Sequence, residues 1–272
     1  SSSYAPCVTN STAVPATLAR RLWLYTNFDC NLACTYCLSS SSPRAARRAI
    51  PLEDFRRLID EARGAGIEEC FLTGGEPFLL PDIFDRLRYA AERLPTTVLT
   101  NGMLLAGARF ERLRQLQPLP LTIQISLDGA CADCHDAFRG RGSWAKTVAS
   151  IRALLDAGFH VAIGATETNV NRPHIEKLRE FVRKLGILDE DIFVRPLTRR
   201  GLSAEGLDLR PDELAPELTV TVDGAFWHPQ SAGEAMLISR SIFPLDGTLA
   251  VLRANLEAMT AGGRAPRQYR CA

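Results

Sequence analysis

Three cysteines, Cys30, Cys34 and Cys37, fall within the run DCNLACTYCLSS, directly after a strand-like stretch. Thiolates are soft ligands, and three on one tight loop point to a metal or iron–sulfur centre. A 4Fe-4S cluster normally takes four cysteines. Three leave one iron open to a substrate or cofactor, which turns an electron carrier into a potential catalyst. The spacing also admits structural zinc or a loop disulfide. Zinc wants four ligands, usually as two separated pairs, and the next cysteines are Cys70 and then the pair Cys131 and Cys134, in segments that read differently.

Further polar motifs follow other strand-like runs. Gly74, Gly75, Glu76 and Pro77 come after the second, and the two glycines permit close backbone approach and unusual φ angles. Thr100 and Asn101 come after the third. Ser126 and Asp128 stand two apart at the end of the fourth, so both are expected to face the same side.

These motifs need a scaffold that brings residues a hundred positions apart to one place. From residue 21 the chain alternates short apolar runs with amphipathic helical patterns, as repeated βα units and a parallel sheet require. Six strands are expected: RLWLYTNF, EECFLTG, TTVLTNG, LTIQISLDG, HVAIGATE and DIFVRPL. One helix carries Leu52, Phe55, Leu58, Ile59 and Ala62. A second carries Trp144, Val148, Ile151 and Leu155, and a third carries Ile175, Leu178, Phe181, Val182 and Leu185. The expected fold is α/β, a partial (β/α)6 TIM-like barrel with a small C-terminal α+β extension. Chemistry in such barrels sits at the C-terminal ends of the strands, which is where every motif above falls.

With 272 residues, 46% hydrophobic and 23% charged, the chain suffices for one large domain with an appendage. The net charge of +1 leaves no footprint for nucleic acid. No apolar run approaches the ~18 residues of a membrane span, and the opening residues lack the pattern of a signal peptide. Eight cysteines, three of them clustered, fit a reducing compartment, so a cytoplasmic location is expected, with no membrane and no nucleic-acid partner.

Together the three-cysteine spacing with Tyr36 before the third cysteine, TGGEP at 73–77 and SLDG at 126–129 resemble the radical S-adenosylmethionine (radical SAM) superfamily over roughly residues 21–200. The resemblance implies one 4Fe-4S cluster on Cys30, Cys34 and Cys37, with S-adenosylmethionine chelating its open iron. It implies reductive cleavage to a 5′-deoxyadenosyl radical that abstracts a hydrogen atom from substrate. Tyr36, Gly74, Gly75, Glu76, Thr100, Asn101, Ser126 and Asp128 are then cofactor-binding. Arg139, in HDAFRG at 135–140, is similar to an arginine that pairs with the cofactor carboxylate. Ile163, Gly164 and residues 166–169 match the region near adenine, and residues 194–197 form the sixth strand. A small-molecule or peptide substrate and an electron donor such as flavodoxin or ferredoxin are implied. The alternative is a non-catalytic iron–sulfur or zinc-binding partner protein.

The division expected is a leader at 1–20, the barrel at 21–200 and a SPASM- or twitch-like extension at 201–272. The extension contains the hairpin signal LTVTVDGAFWHP, with Asp223 and Gly224 at the turn, and an amphipathic stretch LAVLRANLEAM. Relatives carry auxiliary-cluster cysteines there, but this sequence has His228 where one is expected, and only Cys271 downstream. A single cluster is expected unless Cys271 begins a further cysteine-rich segment. Cys70 reads as a buried small hydrophobe, Cys131 and Cys134 as structural or incidental, Cys7 as part of the leader, and His160 and His174 as structural.

Overall fold

The computed structural model describes residues 8–9, 18, 20–230, 233–263 and 268–269. Cys7, Cys271 and most of the expected leader lie outside the described residues. A two-residue ladder pairs β1 (Val8–Thr9) with β11 (Gln268–Tyr269). All other strands join one sheet.

Six of them run parallel in sequence order: β2 (Arg21–Asn27), β3 (Glu69–Gly74), β4 (Thr96–Thr100), β5 (Leu121–Ser126), β6 (His160–Glu167) and β7 (Ile192–Pro196). Helices α1 (Leu52–Gly64), α2 (Ile83–Ala91) and α3 (Gly107–Arg114) connect the first four. Helices α4 (Ala132–Arg139) and α5 (Ser143–Asp156) join β5 to β6, and α6 (Ile175–Lys184) joins β6 to β7. These are the six strands expected, in a partial barrel whose sheet does not close.

Alternation along the strands divides the two faces. Leu22, Leu24, Leu72, Val98, Ile123 and Ile163 are fully buried in one hydrophobic core with Phe55, Leu58 and Ile59 of α1, Leu87 of α2, Ile151 of α5 and Leu178 of α6. In α5 the fully buried leucine is Leu154, and the expected Leu155 is only partly covered. The residues between, Trp23, Tyr25, Thr73, Leu99, Ser126, Thr166 and Arg195, turn to the inner face and line a cleft. Trp23 stacks on Phe71 with ring centroids 4.3 Å apart.

After β7 the alternation of helices and strands stops, and residues 218–239 prolong the same sheet. Strand β8 (Leu218–Thr221) adds parallel to β2, and β9 (Gly224–Phe226) and β10 (Leu237–Ser239) follow antiparallel. The hairpin turn is Val222 and Asp223, one residue earlier than the Asp-Gly signal suggests. Gly224 already pairs with Thr221, at a φ of 143°. Helix α7 (Leu245–Ala261) packs against α1: the amide of Leu245 donates to Glu61 Oε2 at 2.7 Å.

Candidate active site

The cysteine loop is held by backbone groups rather than by its own regular structure. The amide of Cys30 donates to the carbonyl of Ser42, Thr35 donates to Phe138 at the end of α4, and Leu202 donates to Cys37. The loop is therefore tied to both ends of the barrel sequence. Two sulfurs already receive amide hydrogens: Leu32 donates to Cys30 Sγ at 3.4 Å and Ser41 to Cys37 Sγ at 3.3 Å. Such bonds stabilise thiolates and tune cluster potentials.

All three cysteines are unpaired by disulfide and line the same cleft, which holds about 1050 Å³ of space free of protein atoms and opens to solvent. Among the described residues no three Cys, His, Asp or Glu side chains are grouped to hold one metal ion. A cluster spreads its thiolates over separate irons. Burial pushes Cys30 up to about 12 and raises Cys34, so these two thiols favour the protonated form, and a bound cationic centre would supply the charge that deprotonates them. The donor set fits an iron–sulfur cluster.

Gly74 and Gly75 answer to this loop. A Cβ on Gly74, whose φ is 120°, would lie 2.3 Å from the carbonyl oxygen of Asn27, and one on Gly75 would lie 2.1 Å from that of Asp29. The close approach that the two glycines allow is to the strand leading into the cysteines. Glu76 is buried and clamps two loops together. Its Oε1 accepts from Thr100 Oγ1 at 2.7 Å and the Phe78 amide at 3.1 Å, and its Oε2 accepts from the Asn101 amide at 2.9 Å. Burial raises its pKa against the pull of these donors. Thr100 thus lines the cleft with its hydroxyl hydrogen already committed. Asn101 reaches Asn31 Oδ1 at 2.8 Å and stands 3.9 Å from Cys30 Sγ.

Ser126 and Asp128 part company. Ser126 lines the cleft, and its hydroxyl has no partner among the described residues. Asp128 was expected to face the mouth, but it is fully buried beneath the cleft. Strand β5 ends at Ser126, so the two-residue alternation no longer governs position 128. Asp128 Oδ2 accepts from Tyr36 Oη and from Arg139 Nε at 2.5 Å, and its Oδ1 accepts from the Thr166 amide at 2.9 Å. Its own amide donates to His135 Nδ1 at 3.1 Å. Burial pushes the carboxyl up, but the charge and hydrogen bond of Arg139 outweigh it and hold Asp128 below the usual range. Arg139 therefore spends Nε on Asp128, while its guanidinium lines the cleft with terminal nitrogens that have no partner among the described residues. Tyr36 lines the cleft with its ring and anchors the cysteine loop through its hydroxyl.

Other residues of the site carry no motif. Asn27 Nδ2 donates to the carbonyls of Asp29 and Glu76, and Ser39 Oγ donates to the carbonyl of Gly74 and lies 3.3 Å from Cys37 Sγ. Gly201, at a φ of 58°, lets the chain pass the cysteine loop: a Cβ there would meet the Cys37 carbonyl oxygen at 2.1 Å. Cys70 is buried, as expected. Cys131 and Cys134 flank the start of α4 outside the cleft, with Cys131 exposed. His228 is fully buried, and burial drives its pKa down to about 3.

The radical SAM superfamily model matches residues 24–185. The chain belongs to the radical SAM superfamily. Members of this superfamily use a 4Fe-4S cluster and S-adenosylmethionine, the pair that the three thiols and the cleft above them suit. The radical SAM chain is 34% identical over 174 residues to the AdoMet-dependent heme synthase of Methanosarcina barkeri, covering 63% of this chain and 49% of the relative. It is 32% identical over 219 residues to the mycofactocin maturase MftC of Mycobacterium ulcerans, covering 80% and 57%. SuiB of Streptococcus suis, solved with S-adenosylmethionine and with its precursor peptide SuiA, shares the fold at a TM-score of 0.61 and 22% identity. The match covers 72% of this chain and 45% and 44% of those two. The chain spans about half the length of the relatives it matches. No helix among the described residues is long and apolar enough to cross a membrane.

Proposed function

We propose that this chain is a radical SAM enzyme that acts on an unactivated C–H bond of a peptide or small-molecule substrate. The observation that carries the reading is convergence: three thiols on one loop share a cleft with the free hydroxyl of Ser126 and the terminal nitrogens of Arg139. Cys30, Cys34 and Cys37 would hold the cluster. Ser126 and Arg139 are the groups left to receive S-adenosylmethionine, the guanidinium suiting its carboxylate. When bound and reduced, this cofactor pair supplies a carbon-centred radical able to take a hydrogen atom from substrate. Asp128 positions Arg139 and Tyr36, and Glu76 positions the loops that carry Gly75 and Asn101. The electron comes from an external donor of the flavodoxin or ferredoxin kind.

The names of the relatives span heme synthesis, mycofactocin maturation and a precursor peptide, so both substrate classes stay within the proposal. Residues 201–272 are read as a SPASM- or twitch-like extension without an auxiliary cluster, supported by the buried His228 at the position where a cysteine was expected. Anaerobic reconstitution tests both statements. About four irons and four sulfides per chain are expected, with an electron paramagnetic resonance signal of the reduced protein that shifts when S-adenosylmethionine is added. About eight irons would overturn the single cluster, and a signal indifferent to S-adenosylmethionine would overturn the enzyme reading.

A further inference from the structure

The same cleft holds a charge with no ion pair among the described residues. Arg195 lies on β7, the parallel strand farthest from β2 in the sheet order, and its side chain lines the cleft. Its Nε is buried without a hydrogen-bond partner, and among the described residues the guanidinium makes no ion pair. The contrast with Arg139 is direct, since that arginine is locked onto Asp128.

The neighbouring acids are all engaged. Asp128 is taken by Arg139, Tyr36 and the Thr166 amide, Glu76 by Thr100, Phe78 and Asn101, and Glu167 by Arg172 at 2.7 Å. The fold also makes room for the guanidinium. A Cβ on Gly164, on the neighbouring strand β6, would lie 2.6 Å from Arg195 Nη2 and 2.6 Å from Gln124 Nε2. A larger residue there would push the head group out of its place. A part-buried charge without a counter-charge costs stability, and a planar fork held in an open cleft is shaped to receive a carboxylate through two hydrogen bonds.

We propose that Arg195 is the receptor for a carboxylate of the substrate within this cleft. The inference rests on the preceding reading, in which the cysteine loop, Ser126 and Arg139 hold the cofactor pair and leave Arg195 to the substrate. It narrows the substrate class to a small carboxylic acid, or to a peptide presenting an acidic side chain or its C-terminus near the reacting carbon.

Calorimetry on the anaerobically reconstituted full chain, saturated with S-adenosylmethionine, tests this with glutarate and its neutral isostere glutaramide as probes. Wild type is expected to prefer glutarate by about tenfold or more, the scale of a hydrogen bond to a charged group. Arg195→Gln is expected to lose that preference, Arg195→Lys to keep part of it, and Gly164→Ala to weaken it by displacing the guanidinium. If Arg195→Gln fails to retain iron, the Lys and Gly164 variants carry the test. A wild type indifferent to the probe's charge, or a preference that survives Arg195→Gln, overturns the proposal. So does a more than tenfold loss of S-adenosylmethionine affinity in Arg195→Gln with the glutarate preference intact, because that assigns the arginine to the cofactor. Failure of wild type to bind S-adenosylmethionine overturns the enzyme reading instead, and the glutarate preference of the unsaturated protein then still decides the role of Arg195.

Discussion

The two walls of the cleft are built on opposite terms. On the wall formed by the cysteine loop, the loops after β3 and β4 and the end of α4, charged groups are matched from within: Glu76 takes three donors, and Asp128 joins Tyr36, Arg139 and Thr166. Around Arg195 on β7 the described residues supply no counter-charge, and Gly164 leaves a space beside the guanidinium. The matched wall is rigid before any ligand arrives, as a site for an invariant cofactor pair should be. The unmatched wall waits for its partner.

Substitutions on the first wall should therefore cost stability as well as function, and those on the second should spare stability. Asp128→Asn should have the largest effect. It keeps an acceptor for the Thr166 amide but leaves the Arg139 charge buried and unopposed, at a cost of about 3–5 kcal/mol, measurable by chemical denaturation. Gly75→Ala should follow at about 2–3 kcal/mol, because its Cβ meets a backbone oxygen that cannot swing away. Iron retention should fall with it as the cysteine loop is pushed from its seat. Arg195→Gln should leave stability unchanged or raise it, because it removes a part-buried charge that has no ion pair among the described residues. A loss comparable to that of Asp128→Asn would erase the distinction between the walls.

Much of the first wall was legible in the sequence, because its parts are linear motifs whose residue types announce their chemistry. The cysteine spacing, the glycine pair and the six strands that gather them could all be read. What escaped depends on three-dimensional closure. Asp128 was read as facing the mouth because strand alternation was carried two residues past the end of β5. The two glycines were legible as glycines, but what they approach, the carbonyls of Asn27 and Asp29, lies more than forty residues away. Gly201 against Cys37 has no local sign at all. Arg195 looks in sequence like any residue of a strand, and its significance is the absence of a partner, which only the assembled sheet displays.

The central claim is that Cys30, Cys34 and Cys37 form a catalytic rather than a structural centre. Chromatographic quantification of 5′-deoxyadenosine, released from S-adenosylmethionine by the reconstituted and reduced protein, tests it most directly. Formation by the wild type is expected, with a loss of more than about a hundredfold, or roughly 2.7 kcal/mol, in Cys34→Ala. Equal yields from the two proteins, or none from a wild type carrying its full complement of iron, would contradict it.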